Sequence, residues 1–255
     1  MYKHNNSMKL FQVLQVFIIT LPYHVNCTIY NSGAWQRRLM DETTVKSYGT
    51  MATKPFINKF HCGLECEKLP GCNLWCIMSD DKCWLSDLLI SGTIVLSGSS
   101  LISCYVEARG GGLQDVVVGA TGYQSSVAIG RSINYVLDGV YSKTKDYNSV
   151  ALTKLGAPCW MLFDLGKSAD IREVVFYTPS AYKTYCDDIE VRVGPDRIYD
   201  GDFSSHDFFG YQEGACNHPK STIFKGEKIG RFVSLKSLTD NAISISHIEI
   251  YATFQ

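Results

Sequence analysis

The chain has 255 residues and a formal net charge of −1, with 24 lysines and arginines against 25 aspartates and glutamates. Because the charges balance and no basic cluster is present, the composition argues against a protein that binds nucleic acid. A hydrophobic fraction of 45% and a charged fraction of 19% are typical of a folded protein and exclude a disordered one.

An apolar stretch at residues 10–21 follows Lys3 and Lys9 and ends before Pro22. It is too short and too polar to span a bilayer, but it suits the apolar region of a signal peptide. A buried N-terminal strand or helix is the alternative. We expect residues 1–27 to be a signal peptide and the mature protein to be secreted, extracellular and oxidised at its thiols. No later segment approaches the roughly 18 apolar residues of a membrane span.

The cysteines are placed unevenly, and six of the ten lie between positions 62 and 104. Residues 28–107 are therefore expected to form a small module held by disulfides, beside a larger module with an ordinary hydrophobic core. Apolar residues at helical spacing predict a helix over residues 57–69. Short strands are predicted over residues 73–78, 82–86 and 101–107.

Four of these cysteines follow the spacing C-x3-C-x5-C-x3-C, namely Cys62, Cys66, Cys72 and Cys76. Zinc ligation is one interpretation of this spacing, and disulfide bonding is the other. Disulfides are favoured because a secreted chain folds in an oxidising compartment.

The same cysteines, with Trp75 and the Cys83-Trp84-Leu85 strand, resemble the core of the PAN/apple family, in which a helix is pinned to a small curled sheet. The resemblance covers about 80 residues. It implies the disulfides Cys62–Cys83 and Cys66–Cys72 and leaves Cys76 to pair with Cys104. Full apple domains also pair a cysteine near their start with the last one, so Cys27 competes for Cys104 if it survives cleavage. The family binds proteins or sugars, so the resemblance implies an interaction role.

Residues 108–114 are expected to be a glycine-rich, flexible linker. Beyond it, residues 115–255 have the pattern of an all-β domain, with strands predicted over residues 115–120, 159–166, 172–178, 188–194, 230–237 and 243–252. No helical pattern interrupts them, which favours a sandwich or jelly roll over a βαβ fold. Trp160 and Leu162 should face inward on the same side of their strand.

Four stretches of this half resemble the galactose-binding-like jelly roll of discoidin-type domains and F-type lectins (fucolectins). They are VVVGATGYQSS, the Val136-Leu137-Asp138-Gly139 turn, the strand CWMLFDLG, and GRFV with the closing IEIY. The resemblance covers about 140 residues. It implies a jelly-roll fold whose ligand site lies on loops at one end.

F-type lectins hold fucose with a loop histidine and an Arg-x-Asp followed by a second basic residue. This chain has no Arg-x-Asp, and the corresponding loop, residues 141–158, has no histidine. Fucose recognition by the family's mechanism is therefore not expected. Carbohydrate sites combine a stacking ring with amides and cations, and the loops at 141–158 and 178–186 could supply such a set from Tyr147, Asn148, Lys154, Tyr182, Lys183 and Tyr185. The alternative is that the tyrosines cap the rim of the core and the lysines are solvated.

The jelly-roll resemblance also implies a structural calcium ion. Asp138 matches the family's Asp-Gly turn, whereas the position of a glutamate ligand is occupied by His247, a poor ligand for a hard, oxygen-seeking ion. Asp138 could instead cap its turn. Calcium is the one cofactor that the sequence suggests, and none is required by it.

Cys186 and Cys216 are the preferred disulfide of the second module because both flank the loop end of the sandwich. Cys159, beside Trp160, is expected to be buried and free, or paired with a cysteine that the sequence does not identify.

The histidines lack any catalytic motif such as Gly-x-Ser-x-Gly or His-Glu-x-x-His. The sequence therefore predicts a secreted, non-catalytic recognition protein, with glycans or glycoproteins as first-choice partners. A protein–protein adhesion or matrix component that binds no sugar is the alternative.

Overall fold

The structure, a computed structural model, describes residues 35–91, 98–142, 150–156, 158–179, 182, 184–217 and 221–255. The proposed signal peptide and Cys27 lie outside these residues. The described chain is mostly β and contains two large sheets. Among its helices none is both long enough and apolar enough to cross a membrane.

The first sheet has five strands in the order β1-β6-β3-β4-β2. Its antiparallel pairs place the predicted strands around residues 73–78, 82–86 and 101–107 side by side. The elements of this part are β1 (Trp35–Asp41), α1 (Glu42–Ser47), β2 (Ala52–Pro55), α2 (Lys59–Lys68), β3 (Leu74–Ile77), β4 (Lys82–Ser86), β5 (Leu89–Ile90) and β6 (Leu101–Glu107).

Helix α2 begins after Asn58, whose side chain accepts a hydrogen bond of 2.8 Å from the His61 amide, and it ends at Lys68, before Pro70 and Gly71. Its buried residues are Cys62, Gly63 and Cys66. A Cβ on Gly63 would meet the Trp75 ring at 3.6 Å, so the helix lies close against β3. The cysteines and this close approach hold the helix to the sheet.

The apolar residues that suggested this helix are not its buried face. Ile57 is 67% exposed, Phe60 60% and Leu64 37%. The disulfides of α2, and not an apolar stripe, attach the helix to the rest of the first part. The helix therefore leaves an apolar surface towards solvent.

The described residues contain four disulfides, Cys62–Cys83, Cys66–Cys72, Cys76–Cys104 and Cys186–Cys216. The first two join α2 to β4 and to the turn after the helix, and the third joins directly paired residues of β3 and β6. These are the pairs named above. Cys159 is buried and free, and its sulfur lies 3.1 Å from the Lys154 carbonyl.

The second sheet has the order β13-β12-β14-β11-β16-β7, and β8 also pairs with β11. Its buried side chains form the largest core of the chain. The strands of this part are β7 (Gln114–Asp115), β8 (Thr121–Gln124), β9 (Val140–Tyr141), β10 (Ala151–Leu152), β11 (Trp160–Tyr177), β12 (Asp187–Gly194), β13 (Asp207–Ala215), β14 (Thr222–Ser237), β15 (Ser244–Ile245) and β16 (His247–Phe254).

Three features of this sheet differ from the prediction. The strand expected over residues 115–120 stops at Asp115, because the Asp115 carboxylate accepts the Val117 amide at 3.2 Å and Gly119 turns the chain with φ +89°. The strands expected at 159–166 and 172–178 form one long strand, β11, with register shifts along it. Strands β8 and β13 and the first part of β14, residues 222–229, were not predicted.

Trp160 and Leu162 do share one side of β11, and both are buried. That side is not the main core, which takes Met161 and Phe163 from the opposite face. Trp160 and Leu162 instead pack with Phe203 and Phe232 in a smaller cluster. The sheet therefore buries side chains on both faces here.

The two sheets are joined by more than the glycine-rich segment. Strand β5 of the first part pairs with β9 of the second, with Leu89 opposite Tyr141. Leu89 also packs in a cluster with Tyr177 and Tyr251, while Val140 packs into the core of the first sheet. The hydrophobic cores are thus interleaved where the sheets meet.

The segment predicted to be a flexible linker contacts both parts. Gly110–Gly112 forms a 3-10 turn, and a Cβ on Gly110 would clash with the Tyr251 ring. Arg109 forms an ion pair of 2.7 Å with Glu107 and one of 3.5 Å with Glu249. Glycine is needed at position 110 because the chain passes so close to an aromatic ring.

Candidate ligand-binding site

Only three of the six predicted ligand-binding residues lie in the part of the chain that the structure describes. Tyr147, Asn148 and Lys183 lie outside the described residues. Lys154 is exposed and Tyr185 is half-buried, whereas Tyr182 is only 9% exposed. The accessible part of the predicted set is therefore Lys154 and Tyr185.

The backbone brings the two predicted loops to the same end of the second sheet. Strand β10, within the first loop, pairs with β15. The Ser244 amide of β15 donates a hydrogen bond of 2.6 Å to the Tyr185 carbonyl of the second loop. Lys154 and Tyr185 thus belong to segments that flank the same short strand.

Tyr182 and Tyr185 stack with a centroid separation of 5.8 Å and an interplanar angle of 19°. The guanidinium of Arg131 lies 4.6 Å from the Tyr182 centroid. Arg131 is 4% exposed, and its carbonyl accepts the Leu152 amide at 3.1 Å. Packing between a guanidinium and an aromatic face is stabilising, so Tyr182 is fixed between a cation and a second ring.

Asn241 adds an amide to this end of the sheet. Its Nδ2 donates to the Thr184 carbonyl at 2.7 Å, and its Oδ1 accepts the Ala242 amide at 3.0 Å. These bonds tie the loop of the two tyrosines to the segment that leads into β15. We call Arg131, Lys154, Tyr182, Tyr185 and Asn241 the loop-end cluster.

A strained residue lies beside this cluster. Ile129 has φ +42° and is 77% exposed, although a β-branched residue rarely adopts positive φ. It lies two positions before Arg131, in a turn closed by the Arg131 amide and the Ala128 carbonyl at 2.9 Å. Strain of this kind concentrates at functional sites. Sequence reasoning missed both Arg131 and Ile129, and the only available signal was a basic residue in the turn after VVVGATGYQSS.

The arrangement offers an aromatic surface on Tyr185, a primary amine on Lys154 and an amide on Asn241. These groups can stack on a sugar ring and hydrogen-bond its hydroxyls. Tyr182 fits the alternative interpretation given above, because it packs at the rim of the core and supports Tyr185 from beneath.

Asp138 caps its own turn, since its Oδ1 accepts the Val140 amide at 3.0 Å. The neighbouring Gly139 carbonyl accepts the Ser91 amide of the first part at 2.8 Å. His247, at the expected glutamate position, is fully buried and stacks 5.7 Å from the Tyr141 ring. Across the described residues, no three histidine, cysteine or acidic side chains are grouped to hold a metal. Asp138 therefore acts as a turn cap, and calcium binding by this turn stays a prediction from the sequence.

A second group of charges supports the fold rather than a ligand. Asp164, in the CWMLFDLG strand, accepts from Arg231 of GRFV at 2.6 and 2.9 Å and from Arg197 at 3.1 Å. The bonds to Arg231 are the main reason that the pKa of Asp164 is lowered. Two of the stretches that carried the jelly-roll resemblance are therefore joined by this ion pair.

No protein-family model matches the chain, and no curated protein matches its sequence. Part of it is similar to solved structures. A fucose-binding module of Streptococcus pneumoniae is 21% identical, over 55% of this chain and 96% of the module, with a TM-score of 0.45. A fucolectin from the serum of striped bass (Morone saxatilis) is 14% identical, over 68% of this chain and 57% of the fucolectin, with a TM-score of 0.49. A Clostridium perfringens module in complex with GalNAc-β-1,3-galactose is 16% identical, over 55% of this chain and all of the module, with a TM-score of 0.44.

Proposed function

We propose that this is a secreted, non-catalytic recognition protein that binds glycans through the loop-end cluster. The observation that carries the proposal is the Tyr182–Tyr185 stack, which packs against Arg131 and whose loop is tied to Asn241. Binding groups on loops of a rigid β-sheet scaffold are the usual arrangement for recognition. Four disulfides support an oxidising, extracellular compartment.

We infer that residues 28–107 are a PAN/apple-like interaction module and that residues 115–255 are a galactose-binding-like jelly roll, with 108–114 between them. The attachment of α2 to the first sheet by Cys62–Cys83, and its closure by Cys66–Cys72, supports the first assignment. The Asp164–Arg231 ion pair between two of the matching stretches supports the second.

The test is a glycan array with the oxidised mature protein, followed by titration of any positive glycan. Tyr185→Ala and Lys154→Ala should each weaken binding about five- to thirtyfold, because each removes one contact of the site. Tyr199→Ala is the matched control: Tyr199 is 60% exposed but follows the opposite end of β12 from Tyr185. Equal loss in the control, or unchanged affinity in both site variants, would contradict the assignment. Fucose is not expected to be the preferred ligand, because the family's histidine and basic pair are missing.

Protein–protein adhesion is the second candidate, and the exposed apolar residues of the α2 region favour it. Ile57, Phe60 and Leu64 present an apolar surface that a protein partner could bury. This function would be favoured over the first by two results together. The protein would bind no glycan on a broad array, and it would bind an extracellular protein partner in a way that Phe60→Ser abolishes.

A further inference from the structure

A cavity of about 340 Å³ lies where the first and second sheets meet. Its lining includes Arg38 and Asn73 from the first part and Asp115, Glu249 and Tyr251 from the second. A volume of this size is within the usual range of small-molecule sites. The cavity is separate from the loop-end cluster and shares no residue with it.

Asp115 is the most unusual group in this lining. It is 3% exposed, and its Oδ1 accepts two backbone amides, from Val117 at 3.2 Å and from Ile250 at 3.0 Å. Its Oδ2 is buried and has no hydrogen-bond partner within the described part of the chain. A buried carboxylate oxygen without a donor is costly, so a group that donates to it would stabilise the protein.

The charges around the cavity do not compensate Asp115. The lining contains two arginines: Arg109 is already shared between Glu107 at 2.7 Å and Glu249 at 3.5 Å, and Arg38 forms no ion pair with Asp115. Among the described residues Asp115 forms no ion pair. A ligand that brings a positive charge would therefore supply the counter-charge that the fold does not.

Arg38 provides the complementary group. One of its Nη atoms donates to the Gln36 side chain at 2.8 Å. Its Nε is buried, and no acceptor for it exists among the residues that the structure describes. An N–H with no acceptor favours a ligand that also carries an oxygen.

We propose that this inter-sheet cavity binds a small molecule that carries a protonated primary amine close to oxygen acceptors. Asp115 binds the ammonium group and Arg38 binds an oxygen. An amino sugar and a simple amino alcohol both present this chemistry, and the two sources are separated by the test below.

The titration of Asp115 agrees with this assignment. Burial raises the pKa of Asp115 to about 6, against the opposing effect of its backbone hydrogen bonds. The carboxylate is thus charged at pH 7.5 and ready for an ammonium group, and largely neutral at pH 5. The other titratable groups around it are Arg38, Glu107 and Arg109 of the cavity lining and the β16 residues His247, Glu249 and Tyr251. Binding should weaken as the pH falls through about 6.

The test uses the oxidised mature protein and two pairs of probes in nuclear magnetic resonance titrations at pH 7.5. Glucosamine is compared with glucose, and ethanolamine with ethylene glycol, so that each pair differs by the amine. We expect an amine to bind and its amine-free counterpart not to bind. Binding of glucosamine alone identifies a sugar source, and binding of ethanolamine alone a non-sugar source. Equal binding of amine and amine-free probes, or no binding by either amine, would overturn the proposal.

Two variants locate the site. Asp115→Asn keeps an Oδ1 that can accept the Val117 and Ile250 amides, so the fold should persist while the charge is lost. Amine affinity should fall at least about tenfold. Asp207→Asn, which removes an exposed carboxylate outside the cavity, should leave amine affinity unchanged. Arg38→Met should weaken binding of glucosamine more than that of methylamine, which has no oxygen. Retained affinity in Asp115→Asn would place the amine elsewhere and refute the assignment.

Discussion

The hydroxyl of Ser142 donates a hydrogen bond of 2.8 Å to the carboxylate of Asp87, and both residues are buried at the contact between the two sheets. This bond lies beside the β5–β9 pair, so polar and backbone interactions close the same interface. Removing this bond therefore tests how much the contact between the two parts contributes to stability.

Ser142→Ala should lower the free energy of unfolding by about 1–3 kcal/mol, because a buried carboxylate loses a donor. Urea unfolding followed by tryptophan fluorescence measures the change. Ser205→Ala, at an exposed serine, is the control and should change stability by less than about 0.5 kcal/mol. An equal effect in both variants would mean that the interface bond contributes nothing.

The covalent framework should be recovered by peptide mapping of the unreduced protein. We expect Cys62–Cys83, Cys66–Cys72, Cys76–Cys104 and Cys186–Cys216, with Cys159 as a free thiol that reacts only after unfolding. Each native disulfide contributes about 2–4 kcal/mol. Stoichiometric zinc on Cys62, Cys66, Cys72 and Cys76 would instead establish the metal interpretation.

Asp164→Asn should destabilise the protein at neutral pH by about 2 kcal/mol, since Arg231 and Arg197 lose their shared carboxylate. The pKa of Asp164 is lowered in the fold, so its contribution is complete above the unfolded value near 4 and is lost as the pH falls through the lower folded value. The difference between wild type and variant should therefore shrink between pH 4 and pH 2 in urea titrations. A pH-independent difference would show that charge is not the cause.

For Asp115→Asn we expect the stability difference from wild type to change with pH in the opposite direction. The pKa of Asp115 is raised to about 6 by burial, so its ionisation opposes folding above that pH and has no effect below about 4. The variant should gain roughly 1–3 kcal/mol relative to wild type on going from pH 4 to pH 8, in the absence of any ligand. Thermal or urea unfolding at both pH values measures this. A difference between variant and wild type that is the same at pH 4 and at pH 8 would be inconsistent with a buried carboxylate of raised pKa.

The sequence predicts the parts of the fold that leave a local pattern. Alternation of apolar residues locates β12 and β16, and apolar residues at helical spacing locate α2. Strand β13 could not be predicted, because its residues Asp207–Ala215 are mostly exposed or half-buried and therefore show no apolar alternation. The β5–β9 pair could not be predicted for another reason. Each strand has only two residues, which is too short for a periodic pattern, and the paired residues are about 50 positions apart in the sequence.

The candidate site is predictable only in part, for the same physical reason. Tyr185 and Lys154 can be named because aromatic and basic residues in loops are conspicuous. Arg131 cannot, because its relation to Tyr182 depends on a turn more than 50 positions away. Asp115 looked like the first residue of a strand, and its missing partner becomes visible only when the two sheets are placed together.

The pairing of β5 with β9 limits how the chain can be divided. A fragment that ended at Glu107 would expose the backbone donors and acceptors of Leu89 and Ile90 together with the apolar surface that Val140 covers. Unpaired strand edges of this kind recruit other chains. Cutting at the three glycines should therefore give a first half that self-associates, even with its three disulfides intact.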